Sequence, residues 1–409
     1  MRAGSGGLAD RWRAGLLILA FGLALPVGYA GPLGFVPLAG AAGLLALPVL
    51  WTRGRAAWLI APLLALCLWA AISMGWSPAA RGLGVIDDYA ELESLTALKL
   101  VLQLAAYAAV VLAADALSPR AARAALAVLG FTVVMLTVAV FVEALTGAGF
   151  YQAIRVALDD PIRPDLAAKN VGQAAFVVAA LFWPAALALI RFDSRAAALV
   201  GATALLATMG ALMFGAFAPA LAIVAGLAVY ALVAAAPRVG ALLCALGSVG
   251  FTLAAPFLLG AIRLPPGIPE SWTARLNIWT FSAERVLERP WFGWGLDASR
   301  TFGPAVPLHP HGAALQAWLE LGLVGAAILA VFWGAVFWFA SIAAEDDRPA
   351  GAAWAATATS YYVIGSLSFG VWQEWWLALG AIAFAAALAL RRAWPAEARR
   401  EDLAPLQAL

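Results

Sequence analysis

Histidine, cysteine and charge are all scarce in this chain. Only 12% of its 409 residues are Asp, Glu, Lys or Arg, while 64% are hydrophobic. Soluble domains carry about twice that share of charge, so a water-soluble globule is excluded. Cys67 and Cys244 both lie inside apolar runs. That excludes a disulfide framework or a cysteine-based metal centre and leaves small packing residues. A formal net charge of +2 without a basic patch argues against nucleic acid as a partner. No repeat of fixed period is visible, which weighs against an inverted-repeat transporter.

What the sequence does contain is a series of apolar stretches of about 20 residues, the length of a membrane-spanning helix. They indicate an all-α polytopic membrane protein rather than a barrel. Twelve spans are expected, at about 14–30, 33–50, 57–75, 94–114, 121–143, 170–190, 196–212, 214–235, 239–259, 314–341, 352–371 and 373–390. The first is read as a retained span, since many others follow it. The chain divides into N-terminal spans (1–259), a large connection (260–313), C-terminal spans (314–392) and a tail (393–409).

Arginine sets the expected orientation. Arg2, Arg11, Arg13, Arg53, Arg55, Arg120, Arg123, Arg191, Arg195, Arg238, Arg348, Arg391, Arg392, Arg399 and Arg400 would all face one side, the cytoplasm, with both termini. The three long connections, 76–93, 144–169 and 260–313, then face the other side. Two of them are partly acidic, through Asp87, Asp88, Glu91 and Glu93 and through Asp159, Asp160 and Asp165.

The third connection far exceeds ordinary links between helices and is rich in Trp and Pro, so it is expected to fold. Ser271 can cap a helix that must end before Pro290. Along that helix Trp272, Leu276, Trp279, Ala283, Val286 and Leu287 form an apolar stripe, with Glu270, Asn277, Glu284 and Glu288 opposite. Arg275 sits on the margin of the stripe and admits two readings. It is either an arginine snorkelling with its stem on tryptophan, or a guanidinium aimed at a phosphate on the membrane surface. The chain's two histidines follow at His309-Pro310-His311, at the mouth of the next helix. Such a histidine can serve as a general base or merely cap the helix. No third ligand accompanies the pair, so a metal site is not expected. Glu320 lies about two turns into that helix, where a carboxylate is costly and marks a candidate site, with Gln316 one turn earlier as a partner.

Arg275-Leu276-Asn277-Ile278-Trp279, Arg289-Pro290-Trp291-Phe292-Gly293-Trp294-Gly295-Leu296 and His309-Pro310-His311, followed by Leu315-Gln316, Leu319-Glu320-Leu321-Gly322 and Gly325, resemble the O-antigen ligase and polymerase superfamily of bacterial envelope enzymes. The resemblance is strong over about 55 residues. A looser one covers Lys169-Asn170, Ala174-Ala175 and the run to Trp183-Pro184. It implies a multi-pass inner-membrane glycosyltransferase working on the periplasmic side. Such enzymes move a glycan from undecaprenyl diphosphate onto an acceptor sugar, either lipid A–core for a ligase or another lipid-linked repeat for a polymerase. They use no cofactor, nucleotide sugar or required metal. Carried over by position, Arg275 would hold the diphosphate and His311 would act as base. Glu320 would join the catalytic set, and His309, Gln316 and Asn170 the binding set.

The chain departs from the family in two places. Many members carry a Ser-Arg pair at the stretch that here reads Leu212 to Ala220 without any cation, and Gly312 replaces the asparagine that usually follows the histidine. Arg289, Arg163 or Lys169 is expected to supply the missing charge. Two other classes compete: a transporter or flippase, for which Glu143 and Glu320 are the intramembrane acids, and a non-catalytic assembly partner. On the enzyme reading, Arg275→Ala and His311→Ala each abolish attachment of long glycan while membrane insertion persists. Loss of the ladder on a lipopolysaccharide gel checks this.

Overall fold

The computed structural model describes residues 7–50, 57–81, 96–263, 267 and 270–395. The acidic run Asp87, Asp88, Glu91 and Glu93, and Arg2, Arg53, Arg55, Arg399 and Arg400, lie outside the described residues, as does the tail from 396 onward. Within them the chain is helical, with no strand. The helices in order are α1 (Leu8–Ala30), α2 (Phe35–Ala46), α3 (Ala57–Ser73), α4 (Thr96–Asp115), α5 (Pro119–Thr146), α6 (Gly149–Ala157), α7 (Pro164–Gly172) and α8 (Ala174–Phe192). They continue as α9 (Ala197–Met213), α10 (Phe217–Ala235), α11 (Pro237–Ala261), α12 (Glu270–Glu288), α13 (Ala313–Asp346), α14 (Arg348–Leu367) and α15 (Glu374–Ala393).

Every one of the twelve expected spans falls on a helix, and ten are long and apolar enough to cross a bilayer. The two outside that set are α3, whose apolar run is Ile60–Ser73, and α14. Helix α14 is more polar than a lipid-facing span because its neighbours are protein. It packs against α8, α10, α13 and α15, and residues from Ala350 to Tyr361 are buried without interruption. Its Thr357 and Thr359 hydroxyls bond back to the carbonyls of Ala353 (2.7 Å) and Ala355 (2.9 Å), which satisfies them inside the bundle. Large apolar side chains such as Leu19, Phe131, Leu246 and Val331 point outward from the outer helices, as helices solvated by lipid require.

The two ends of the bundle differ. At one end short links are tied by charge: Arg191 to Asp347 (2.6 Å), Arg392 to Asp115 (3.0 Å) and Arg238 to Glu345 (2.8 Å). Ser118 donates to Asp10 at the same end, so the start of α1 and the end of α15 share it. The described parts of the connections 144–169 and 260–313 lie at the other end.

Two sequence expectations are corrected there. The connection 144–169 carries the short helices α6 and α7, and Lys169 and Asn170 stand in the last turn of α7, which meets α8 at Gln173 so that Pro164–Phe192 forms one apolar span. Gly147 and Ala148 take the left-handed conformation between α5 and α6. This turn lets the Glu143 carboxylate receive the Tyr29 hydroxyl and the Phe150 N–H (3.2 Å). Helix α12 begins at Glu270, so Ser271 is inside its first turn rather than ahead of it. Its buried line runs through Ile278, Trp279, Ser282 and Val286, which turns Leu287 out of the stripe to 61% exposure.

The decisive feature of this end is a break in α13. At Gly322 the backbone leaves helical geometry (φ 66°, ψ −163°), dividing a short half-helix, 313–321, from the spanning part. The groups freed by the break are taken up by the segment after α12. Trp294 N–H donates to Leu319 O (2.9 Å) and Gly295 N–H to Glu320 O (2.7 Å), while Leu323 N–H donates to Pro290 O (2.8 Å). Backbone this close leaves no room for side chains. A Cβ on Gly322 would stand 2.4 Å from the Trp291 carbonyl, and one on Gly293 would stand 2.5 Å from that of Glu320. Both glycines also hold positive φ. Gly322→Ala or Gly293→Ala should therefore destabilise the fold by about 1–3 kcal/mol from backbone strain alone. Thermal melting in detergent measures this, with Gly201→Ala, in open space on α9, as a nearly silent control.

Candidate functional site

The half-helix of α13 carries Gln316 and Glu320 inward. Glu320 is completely buried and gathers four donors. Its Oε1 accepts from Ser299 Oγ (2.6 Å) and Gln316 Nε2 (2.9 Å), and its Oε2 accepts from Trp372 Nε1 (2.7 Å) and Asp297 N–H (3.1 Å). Gln316 in turn accepts the Val371 N–H (2.9 Å). The pairing of Gln316 with Glu320 expected from one-turn spacing is present. The other three donors come from the large loop and the α14–α15 link. One carboxylate thus binds three segments distant in sequence, an arrangement that holds its neighbours in place.

The two histidines stand at the entrance to this half-helix, with ring centroids 4.4 Å apart. Their hydrogen bonds assign their tautomers. His309 Nδ1 accepts the His311 backbone N–H (3.1 Å), so in the neutral ring the proton sits on Nε2, a donor. His311 Nδ1 lies 3.1 Å from the Ser368 carbonyl. A carbonyl only accepts, so Nδ1 carries the proton and Nε2 keeps a lone pair. His309 is buried, and burial, helped by His311, Arg300 and Arg275, pushes its pKa down to about 3. It is neutral across the physiological range. His311 is also lowered, by burial first, with the Ser368 bond opposing and the Arg275 charge adding. It holds φ at 52°, a left-handed conformation that residues with a Cβ seldom adopt.

Arg275 lies near enough to act electrostatically on both histidines. Its guanidinium is 5.7 Å from the Trp272 ring centroid, and burial lowers its own pKa. The structure therefore brings together Arg275, His309, His311, Gln316 and Glu320. It separates the remaining candidates. Arg289 is exposed and stacks on Trp294 at 4.0 Å, beside a depression walled by Trp69, Trp76 and Phe292. Arg163 forks onto Asp165 with bonds of 3.0 and 2.6 Å. Lys169 and Asn170 sit on α7, which packs on α1, α5, α6 and α8. The cation-free stretch 212–220 forms the turn between α9 and α10. There Phe214 packs with Tyr151, Ala167 and Val171 on α6 and α7.

Two cavities flank the cluster. A polar one of about 310 Å³ has His309, Gln316, Lys99, Asp297, Arg300 and Glu374 in its walls. An apolar one of about 170 Å³ is walled by Phe332, Trp333, Tyr361, Tyr362 and Trp376. Trp372 borders both. Sequence reasoning missed Lys99, Asp297, Ser299, Arg300 and Trp372. An arginine and an aspartate three residues apart in a Gly-rich loop were the only signal available for two of them.

No family model matches the chain. It is similar to provisionally named polysaccharide ligases of Rickettsia. The match is 33% identical over 121 residues for Rickettsia conorii, covering 26% of this chain and 29% of that protein. For Rickettsia bellii it is 31% over 158 residues, covering 32% and 37%. For Rickettsia prowazekii it is 33% over 124 residues, covering 26% and 29%. The matched stretch thus spans about a third of these relatives' length.

Glu320→Gln replaces an acceptor oxygen by an NH₂ group among four donors. It should cost about 1–3 kcal/mol, the price of leaving a buried donor unsatisfied, and should lower the melting temperature in detergent. Gln316→Ala removes one of the four donors and also leaves the Val371 N–H without its acceptor, so it should cost a similar amount in the same measurement.

Proposed function

We propose that the chain is a metal-independent glycosyltransferase of the inner membrane, acting on the periplasmic side as an O-antigen ligase-like enzyme. The observation that carries the reading is the His311 imidazole at a helix mouth, whose Nδ1 is taken by the Ser368 carbonyl, which leaves the lone pair on Nε2, and whose ring is within electrostatic reach of Arg275. The similarity to polysaccharide ligases supports it. The donor is a glycan on undecaprenyl diphosphate, the acceptor a sugar hydroxyl of lipid A–core. His311 Nε2 takes the acceptor hydroxyl proton, and the oxygen attacks the anomeric carbon of the donor sugar. The bond from that carbon to the diphosphate oxygen breaks, and undecaprenyl diphosphate leaves with the electron pair. Arg275 faces the charge that develops there. Of the three candidates for a second cation, Arg289 alone lies in the loop that packs on the α13 break, and it stands apart from the cluster, stacked on Trp294. Glu320 is a positioning residue, since its four hydrogen bonds are all to the protein itself. An O-antigen or exopolysaccharide polymerase shares this donor chemistry and differs in the acceptor.

Purified full-length protein in detergent, given a lipid-linked donor and either acceptor, tests the reading. Transfer to lipid A–core marks a ligase; a ladder on the lipid-linked repeat marks a polymerase. No new glycosidic bond with either refutes both. His311→Ala should lower kcat by about 10²–10⁴-fold, the usual contribution of a general base. His309→Gln, which keeps a donor, should lower it far less.

The pH profile follows from the same tautomers. The base must be neutral, so kcat/KM falls as pH drops through the His311 pKa. Burial lowers that pKa from 6.5, so the acid limb should lie below this value. A stopped assay from pH 4.5 to 8 locates it, and an acid limb above 6.5 speaks against His311 as base.

A further inference from the structure

We infer that the polar cavity beside His309 is an acceptor subsite that seats a neutral, hydroxyl-bearing saccharide; this rests on the glycan-transfer reading and names where the acceptor binds. Its charge is balanced, unlike that of a phosphate site. Lys99 pairs with Glu374, and Arg300 Nε lies 3.7 Å from Asp297 Oδ1. A diphosphate placed there would meet two carboxylates together with the two cations. A sugar hydroxyl both donates and accepts, and such a mixed lining suits it.

A second observation points the same way. The Gln373 Oε1 in this lining is buried and has no hydrogen-bond partner. A carbonyl oxygen without a donor calls for one, and a ligand hydroxyl provides it once the Gln373 amide turns to face the cavity. His309 adds a donor of its own, because Nδ1 is occupied and Nε2 carries the hydrogen. The Trp375 indole supplies an apolar wall for the C–H face of a ring. The cavity, about 310 Å³, is at the small end of ligand sites, which run from about 300 to 1,000 Å³. That size suits a short saccharide end rather than a polymer. Neither Arg275 nor Arg289 is in the lining, so the diphosphate of the donor is met elsewhere. His311 stands one ring beyond the wall, where it can reach a hydroxyl presented past His309.

Equilibrium dialysis of the full-length protein in detergent against radiolabelled, deacylated lipid A–core oligosaccharide, without donor, tests this directly. Gln373→Leu and Glu374→Gln should each weaken binding about tenfold, equivalent to about 1.4 kcal/mol, with Arg275→Ala binding as the parent does. In the transfer assay the same two variants should raise KM for the acceptor about tenfold and leave KM for the donor unchanged. The inference is overturned if Gln373→Leu and Glu374→Gln bind like the parent, if Arg275→Ala weakens binding equally, or if inorganic diphosphate displaces the oligosaccharide. The two readings fail separately. Saccharide binding that depends on Gln373, with no glycosidic bond formed from a lipid-linked donor, upholds the subsite and sinks the transferase. Transfer whose acceptor KM ignores Gln373 and Glu374 does the reverse.

Discussion

A buried apolar helix that is interrupted must find new partners for the backbone groups it frees, because an apolar surrounding offers none. In this protein the break at Gly322 finds them in the Pro290–Gly295 segment, which supplies N–H groups to the carbonyls of Leu319 and Glu320 and a carbonyl to the N–H of Leu323. The exchange works only because glycine stands at the contact on both sides. Helix α3 and the turn after it secure the junction from outside: Trp69 Nε1 donates to Leu321 O (3.0 Å), Trp76 Nε1 to Gly293 O (3.2 Å), and Ser77 Oγ to Leu296 O (2.6 Å). The large loop is therefore built into the bundle.

The half-helix created by the break turns Gln316 and Glu320 toward the loop, and the Glu320 carboxylate then gathers segments otherwise unconnected. Ser299 and the Asp297 N–H fix the loop, and Trp372 fixes the α14–α15 link. The histidines occupy the junction of the same two segments, with His311 bonded to Ser368. Their opposite tautomers follow from these attachments, and so do their different chemical capacities.

Much of the fold was legible because lipid imposes a length, and length can be read from apolar runs. The exceptions have physical reasons. Helix α14 has hydroxyls and small residues where lipid would demand aliphatic ones, since its neighbours are protein. Helices α6 and α7, nine residues each, are too short to leave a clear period. At the site, Arg275, the histidine pair and the Gln316–Glu320 turn could be singled out from local spacing and from the cost of burying charge. Lys99 and Trp372 could not, since each reaches the cavity from a different helix end. The histidine tautomers depend on a carbonyl 57 residues away in the chain, which no local pattern encodes.

Trp372 stands between an oily chamber and a watery one, with its indole N–H fastened to Glu320. Among the described residues it is the single side chain in the walls of both. The ring is thus a bulkhead, and its latch is the same carboxylate that organises the loop. One carboxylate therefore ties the partition between the two chambers, through Trp372, to the anchoring of the loop, through Ser299 and the Asp297 N–H.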